Sequence, residues 1–224
     1  MKKVWMYIDG FNFYYSIKNN KQVPIGLGWC NFRKLAEKYF LEEGEHLAWI
    51  KYYTALVNPY TELNSQEVAN QKIWLDAVRS VDRLIVIPGY FEKHAGKMRQ
   101  EKLTDTRLAV DMLADTMDLH AYDKAILLSG DFDFSVAVEA VMGKGRRNVD
   151  IWVPPGQSFQ RWQSFVRDIT RKEKIHKVRC NAITEDMLAN SRLPDTDCPE
   201  YWQLPQEFTS AETNDEGIDP EFYE

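Results

Sequence analysis

Five short apolar runs punctuate the chain: VWMYI (4–8), LAWIKYYTAL (47–56), RLIVI (83–87), KAILL (124–128) and VDIWV (149–153). They are rich in β-branched and aromatic residues and show little alternation, which predicts strands buried on both faces. Segments 31–39, 65–80, 104–119 and 132–142 instead carry apolar residues three and four apart, as Leu108, Met112 and Leu113 do. That spacing predicts helices. Ser65 is placed to start the second of them, and Thr104 or Asp105 to cap the third. Strands alternating with helices imply a mostly parallel sheet covered on both sides, an α/β fold of three layers.

The regularity fades after VPPG (153–156). FQRWQSFVRDIT still predicts an amphipathic helix with Phe159, Trp162, Phe165, Val166 and Ile169 inward, and KIHKV (174–178) a short edge strand. From Pro194 on, Pro, Asp, Glu and Thr accumulate without period, with Tyr201, Trp202, Phe208, Phe222 and Tyr223 as the available anchors. The expected division is therefore a domain over 1–155, a basic helical or irregular extension over 156–193 packed on it, and an acidic, partly disordered tail over 194–224.

Charge adds a contrast that the net value of −6 conceals. Residues 193–224 hold ten acidic side chains and no Lys or Arg, whereas residues 144–179 hold ten basic side chains against three acidic ones. A basic segment followed by an acidic tail suggests a polyanion site and a competitor for it, although a solvated helix face and an unstructured tail would look the same. Truncation after Leu193 is expected to raise polyanion affinity at low salt if the tail covers that surface. Cys30, Cys180 and Cys198 are odd in number and far apart, so neither a disulfide framework nor a thiolate zinc site is supported. The short apolar stretch before Asp9 does not suit a signal peptide, and no run approaches the roughly 20 apolar residues of a membrane helix. A cytoplasmic protein without membrane contact is the expectation.

The candidate chemistry lies where the apolar runs stop. Asp9 ends the first predicted strand, and SGDFDF puts Asp131 and Asp133 after the fourth. Side chains following the C-terminal ends of parallel strands share one edge of the sheet, and in strand order 3-2-1-4-5 the first and fourth strands are neighbours. Asp105 joins them if the predicted loop 89–104 crosses the same edge. Each aspartate also suits an ordinary cap or turn. Two unit charges about 4 Å apart repel by about 4 kcal/mol at an effective dielectric near 20, so a cluster requires arginine partners, raised pKa values or a divalent cation. Oxygen ligands without a His/Cys cluster favour Mg²⁺ or Mn²⁺ over zinc, and His46, His94, His120 and His176 show no ligand spacing.

Three segments, YIDGFNFYYSI (7–17), KLTDTRLAVDML (102–113) and AILLSGDFDFSVAVEAVMGKGRRNVDIW (125–152), resemble the motifs of NYN domains, the LabA-like branch of the PIN-like nuclease superfamily. The resemblance covers about residues 3–155. It implies a Rossmann-like α/β/α domain with an acidic pocket binding Mg²⁺ or Mn²⁺ for RNA phosphodiester hydrolysis. Carried over by motif, Asp9, Asp105, Asp131 and Asp133 are the catalytic and metal-binding set, with Asp9 and Asp131 the leading ligands. Asn12, Lys102 and Ser129 also match and are expected to touch substrate or to hold the carboxylates. Asp111 matches a family acid, but its helical position relative to Asp105 points it elsewhere, in a supporting role. Outside the motifs, the loop 89–103 brings Lys93, His94, Lys97, Arg99 and Lys102 towards the pocket, where they suit phosphate contacts. Phe11, Phe13, Tyr14 and Tyr15 offer stacking to unpaired bases, although ordinary core packing accounts for at least two of them.

A haloacid-dehalogenase-type phosphatase is disfavoured because Asp9 is followed by Gly10 and Phe11 rather than by a second acid two residues on. A DxD glycosyltransferase lacks a recognisable sugar-nucleotide pocket. The expected function is a Mg²⁺- or Mn²⁺-dependent ribonuclease acting on single-stranded RNA, with a second copy of the chain as a further partner. A non-catalytic RNA- or nucleotide-binding regulator is the alternative.

Overall fold

The computed structural model describes residues 1–56, 65–92, 100–172 and 177–205. Among these, seven strands form one sheet: β1 (Lys2–Asp9), β2 (Glu45–Ala55), β3 (Leu84–Glu92), β4 (Gln100–Lys102), β5 (Lys124–Leu128), β6 (Asn148–Val153) and β7 (Val178–Ala182). Their order is β4-β3-β2-β1-β5-β6-β7, with every neighbouring pair parallel except β3 and β4. The five strands expected from the apolar runs thus lie in the 3-2-1-4-5 order. β7 extends the same sheet beyond residue 155 as its edge strand.

Seven helices among the described residues cover the two faces: α1 (Gly10–Lys18), α2 (Phe32–Leu35), α3 (Ser65–Arg79), α4 (Thr104–Ala114), α5 (Ser135–Gly143), α6 (Phe159–Lys172) and α7 (Glu185–Ala189). The side-chain period of a strand divides the core. Val4, Met6 and Ile8 of β1 pack with Phe13, Phe32, Trp74 and Leu188 on one face, whereas Tyr7 packs with Leu108, Met112, Val138 and Trp162 on the other. β5 is buried at all five positions, which is why its sequence reads as an unbroken apolar run.

Four local features differ from the sequence pattern. No element is expected over residues 10–18, yet α1 forms there, capped by the Asp9 carboxylate on the Asn12 amide. The loop expected over 89–104 is partly a hairpin, because β3 runs on to Glu92 and pairs with β4. Neither Thr104 nor Asp105 caps α4; that position belongs to Leu103, at φ 74° and without a side-chain cap. The helix expected over 31–39 is a short α2, capped by Asn31, that widens into a π-helical turn at Ala36–Phe40. Towards the C-terminus, Cys198 and Trp202 are buried in the first core cluster, and the Trp202 ring stacks on Trp74 at 5.2 Å. The chain therefore stays packed on the domain past residue 194, and the rest of the acidic tail, 206–224, lies outside the described residues.

Gly10 permits the tight passage from β1 into α1. A Cβ there would stand 2.5 Å from Tyr52 Cζ and 2.7 Å from the Tyr53 carbonyl oxygen. Gly10→Ala is expected to cost about 1–3 kcal/mol through overpacking against backbone. Urea unfolding reads this as a lower midpoint, and an unchanged midpoint would contradict the close approach.

Candidate active site

The sheet reverses its direction of winding between β1 and β5. From β1 the chain moves outward through β2 and β3, and from β5 through β6 and β7 in the other direction. α1 and α5 follow these two central strands onto opposite faces, and the C-terminal ends of β1 and β5 are therefore the place where open α/β sheets bind ligands. Asp9 is the last residue of β1, and Ser129–Asp133 follow β5 directly.

One buried hydroxyl joins the two strand ends. Ser129, fully buried, donates from Oγ to Asp9 Oδ2 at 3.0 Å and accepts the Asp131 amide at 3.0 Å. The opposite oxygen of Asp9 accepts the Asn12 amide at 3.0 Å, and Asn12 Oδ1 in turn accepts the Gly130 amide at 2.8 Å. Asp131 Oδ1 accepts the Asp133 amide at 2.9 Å, which starts the 3₁₀ turn Phe132–Phe134. Ser129 and Asn12, read from sequence as substrate or supporting positions, are here spent on holding the turn. Asp9 and Asp131 both act as caps, the ordinary role that the sequence also allowed them.

The elements behind the turn fix it from below. Trp162 Nε1 of α6 donates to the Gly130 carbonyl at 3.3 Å. The Phe132 ring packs edge-on against Trp162 and Phe165, with centroids 5.2 and 5.9 Å away. A Cβ on Gly130 would fall 2.5 Å from Gln157 Cβ, so the turn lies flat against the PPG bend. Sequence reasoning does not mark Gln157, Trp162 or Phe132 as part of the site. The inward pattern of the helix FQRWQSFVRDIT is the available signal for Trp162.

Asp9 is buried at 3% exposure, Asp131 is half-buried, and Asp105 and Asp133 are exposed. Burial and the charges of Asp131 and Asp133 push the Asp105 carboxyl above the ordinary carboxylate range. Asp105 at the head of α4 therefore shares a field with the turn after β5. None of Asp105, Asp131 and Asp133 pairs with a lysine or arginine among the described residues. Leu103, two residues before Asp105, is held in the left-handed region, a strained conformation for a branched side chain.

Asp111 is engaged by two side chains of its own. Its carboxylate accepts Tyr53 Oη at 3.0 Å and Arg107 Nε at 2.9 Å, and Tyr53 is the register partner of Asp9. Arg99, Lys93, His94 and Lys97 lie outside the described residues, as does the side chain of Lys102 at the end of β4. Of the four aromatics after Asp9, Phe13 is buried in the core and Tyr14 packs on Trp202, while Tyr15 is exposed and stacks on Phe11 at 5.7 Å. Burial raises the pKa of all three thiols, that of Cys180 to about 12, so none is a poised nucleophile.

Among the described residues, no three His, Cys, Asp or Glu side chains converge closely enough to cage an ion. Magnesium seldom needs such a cage: it keeps several waters and binds through one or two carboxylates together with substrate phosphates. An oxygen-only donor set in which Asp105, Asp131 and Asp133 have no Lys or Arg partner among the described residues fits that mode. The charge repulsion also has a measurable consequence for stability. Because the folded-state pKa of Asp105 is raised, its contribution is most favourable at low pH and is lost as pH rises through that value. Asp105→Asn is therefore expected to melt higher than the parent protein at pH 7, with the gap closing towards pH 4; an equal or lower melting temperature at pH 7 would contradict the coupling.

A model of the NYN domain family matches residues 3–170. Among curated proteins, 6-hydroxy-3-succinoylpyridine 3-monooxygenase HspA of Pseudomonas putida is 23% identical over 187 residues, covering 66% of this chain. The match spans 58% of that relative's length. A solved structure of a protein of unknown function from Vibrio parahaemolyticus superposes with a TM-score of 0.52 at 19% identity, over 83% of this chain and 94% of the other. That likeness supports the three-layer α/β fold. No helix among the described residues is long and apolar enough to cross a membrane.

Proposed function

Because the chain belongs to the NYN domain family, a nuclease-like group, we propose that it is a metal-dependent ribonuclease that hydrolyses phosphodiester bonds of single-stranded RNA at the acidic turn. The LabA-like placement rests on the three sequence motifs. The observation that carries the reading is the single Ser129 hydroxyl tying Asp9 to the Asp131 turn at the reversal point of the sheet, with Asp105 in the same field. A hydrolase of phosphodiesters needs negative charge gathered at a rigid edge, and here the rigidity comes from buried hydrogen bonds.

In this reading Asp9 and Asp131 would be the leading ligands of Mg²⁺ or Mn²⁺, with Asp133 and Asp105 acting on the ion through its bound waters. A bound divalent cation supplies polarisation of the phosphate, a more acidic water and stabilisation of the leaving alkoxide. The protein's own part is positional. The Asn12 amide and Ser129 hydroxyl fix both oxygens of Asp9, and the Asp133 amide fixes one oxygen of Asp131. Arg99 and Lys102 are assigned to the substrate's phosphates on sequence grounds. The monooxygenase activity of the Pseudomonas relative stays with that protein, given the low identity and partial coverage.

The test is incubation of purified protein with end-labelled single-stranded RNA, with Mn²⁺ or with chelator. Cleavage that requires the metal is the expected result. Intact RNA with tight, metal-independent binding would replace this reading with that of a non-catalytic RNA-binding regulator.

A further inference from the structure

The basic segment is not used by the acidic turn itself, and α6 places its first cation beside that turn. The Arg161 guanidinium lies 4.5 Å from the centroid of the Phe132 ring, and Phe132 is the residue between Asp131 and Asp133. Arg161 is exposed and has no carboxylate partner among the described residues. A guanidinium seated on an aromatic face keeps its N–H edge open for a phosphate, and the stacking fixes its position.

From this point an open groove of ≈ 540 Å³ runs between α5 and α6. Arg161 stands at one end and Lys172 at the other, eleven residues later, or about 16 Å along the helix. Gln160 beside Arg161 and Ser164 further along α6 offer polar contacts, and Phe132 and Phe165 offer ring surface. Two acids also face the groove. Asp168 has Arg171 at 3.9 Å, whereas Glu139 of α5 has no cationic partner among the described residues.

We propose that this groove carries the phosphate backbone of single-stranded RNA away from the acidic turn, with Arg161 as the first phosphate-binding residue and Lys172 as the last. The proposal rests on the ribonuclease reading for its substrate. Two cations at the ends meet non-adjacent phosphates of one strand, and the aromatic floor accepts bases without regard to sequence. Glu139 repels the strand and so weakens binding, a feature that a purely structural α6 would not show.

The experiment measures anisotropy of a fluorescein-labelled single-stranded RNA in chelator, which prevents cleavage, over a range of salt. Arg161→Ala combined with Lys172→Ala is expected to bind about tenfold more weakly at low salt, with a log–log salt slope shallower by about 1.4, the release expected for two phosphate contacts on a single strand. Arg161→Lys keeps the charge and most of the affinity, which separates lost charge from a disturbed turn. Glu139→Gln binds more tightly than the parent protein. Unchanged affinity and slope in the double variant overturn the groove; if the parent also cleaves RNA with Mn²⁺, the ribonuclease reading survives that result. In the opposite case, groove-dependent binding without any metal-dependent cleavage, the groove stands and the ribonuclease reading falls. A parent protein that does not bind single-stranded RNA overturns both.

Discussion

Asp131→Asn is expected to lower Mn²⁺-dependent cleavage of single-stranded RNA by about two to three orders of magnitude, because a metal site supplies several kcal/mol of transition-state stabilisation and each 1.36 kcal/mol is tenfold in rate. The substitution is conservative in shape. An asparagine retains the Oδ1 that accepts the Asp133 amide, and the Asp131 amide keeps its bond to Ser129. The turn therefore survives while the charge is lost. Single-turnover rates at saturating protein measure the effect, and a rate within about threefold of the parent would remove Asp131 from the metal-binding set. Asp9→Asn is the harsher change. Both Asp9 oxygens accept hydrogen bonds, so the amide nitrogen either opposes the Asn12 N–H or turns to the Ser129 hydroxyl, which must then accept and leaves its own buried proton without the carboxylate it donated to. Its loss of activity is expected to come with a lower melting temperature, whereas Asp131→Asn loses activity alone.

The central strands are legible because they are buried on both faces. An apolar run such as KAILL has no polar alternation to confuse the reading, and the 3-2-1-4-5 order, a condition of the sequence reading, is the one the sheet adopts. α1 is hidden because its residues, GFNFYYSIK, begin with glycine and are dominated by aromatics, which are weak helix formers. Its real signal is Asp9 three residues before Asn12, an N-cap spacing that reads equally well as a turn or a ligand. The hairpin of β3 and β4 is obscured by Pro88 and Gly89, which punctuate the pattern although β3 continues through them in register with β2. Leu103 holds the cap position of α4 in a conformation no propensity would assign to it, so Asp105 lies in the first turn of the helix, within the field of Asp131 and Asp133.

For the site, residue types carry the identities but not the uses. Ser129 and Asn12 belong to motifs that also fit substrate contacts, and only their burial and partners show them joining β1 to the turn after β5. Trp162 and Gln157 support that turn from outside the motifs, across a chain separation that local patterns do not encode. Arg161 is one of ten basic residues in a segment whose charge alone does not single it out; the ring of Phe132 does so.

The largest expected loss of stability comes from the opposite edge of the sheet. Lys124 opens β5, Glu45 opens β2 and Asp150 lies near the start of β6, so the three meet at the N-terminal ends of the strands, away from the acidic turn. All three side chains are almost wholly buried. Lys124 Nζ pairs with Glu45 and stands 2.8 Å from Asp150, and Arg179 of β7 clamps Asp150 through two nitrogens while also pairing with Glu42 near the surface. Lys124→Met leaves the Glu45 carboxylate buried without a countercharge, and such a break is expected to cost about 3–5 kcal/mol. Asp150 retains Arg179, so the defect is localised at Glu45. Adding Glu45→Met removes the stranded charge, and the double variant is expected to recover much of the loss, because apolar pairs often replace buried ion pairs without penalty. Urea unfolding at constant m-value measures all three proteins, and a cost below about 1 kcal/mol for Lys124→Met would show that water reaches this edge. Below its melting range, Lys124→Met should cleave RNA at the parent rate, since the hydrogen bonds that hold Asp9 and Asp131 lie at the other end of the same strands.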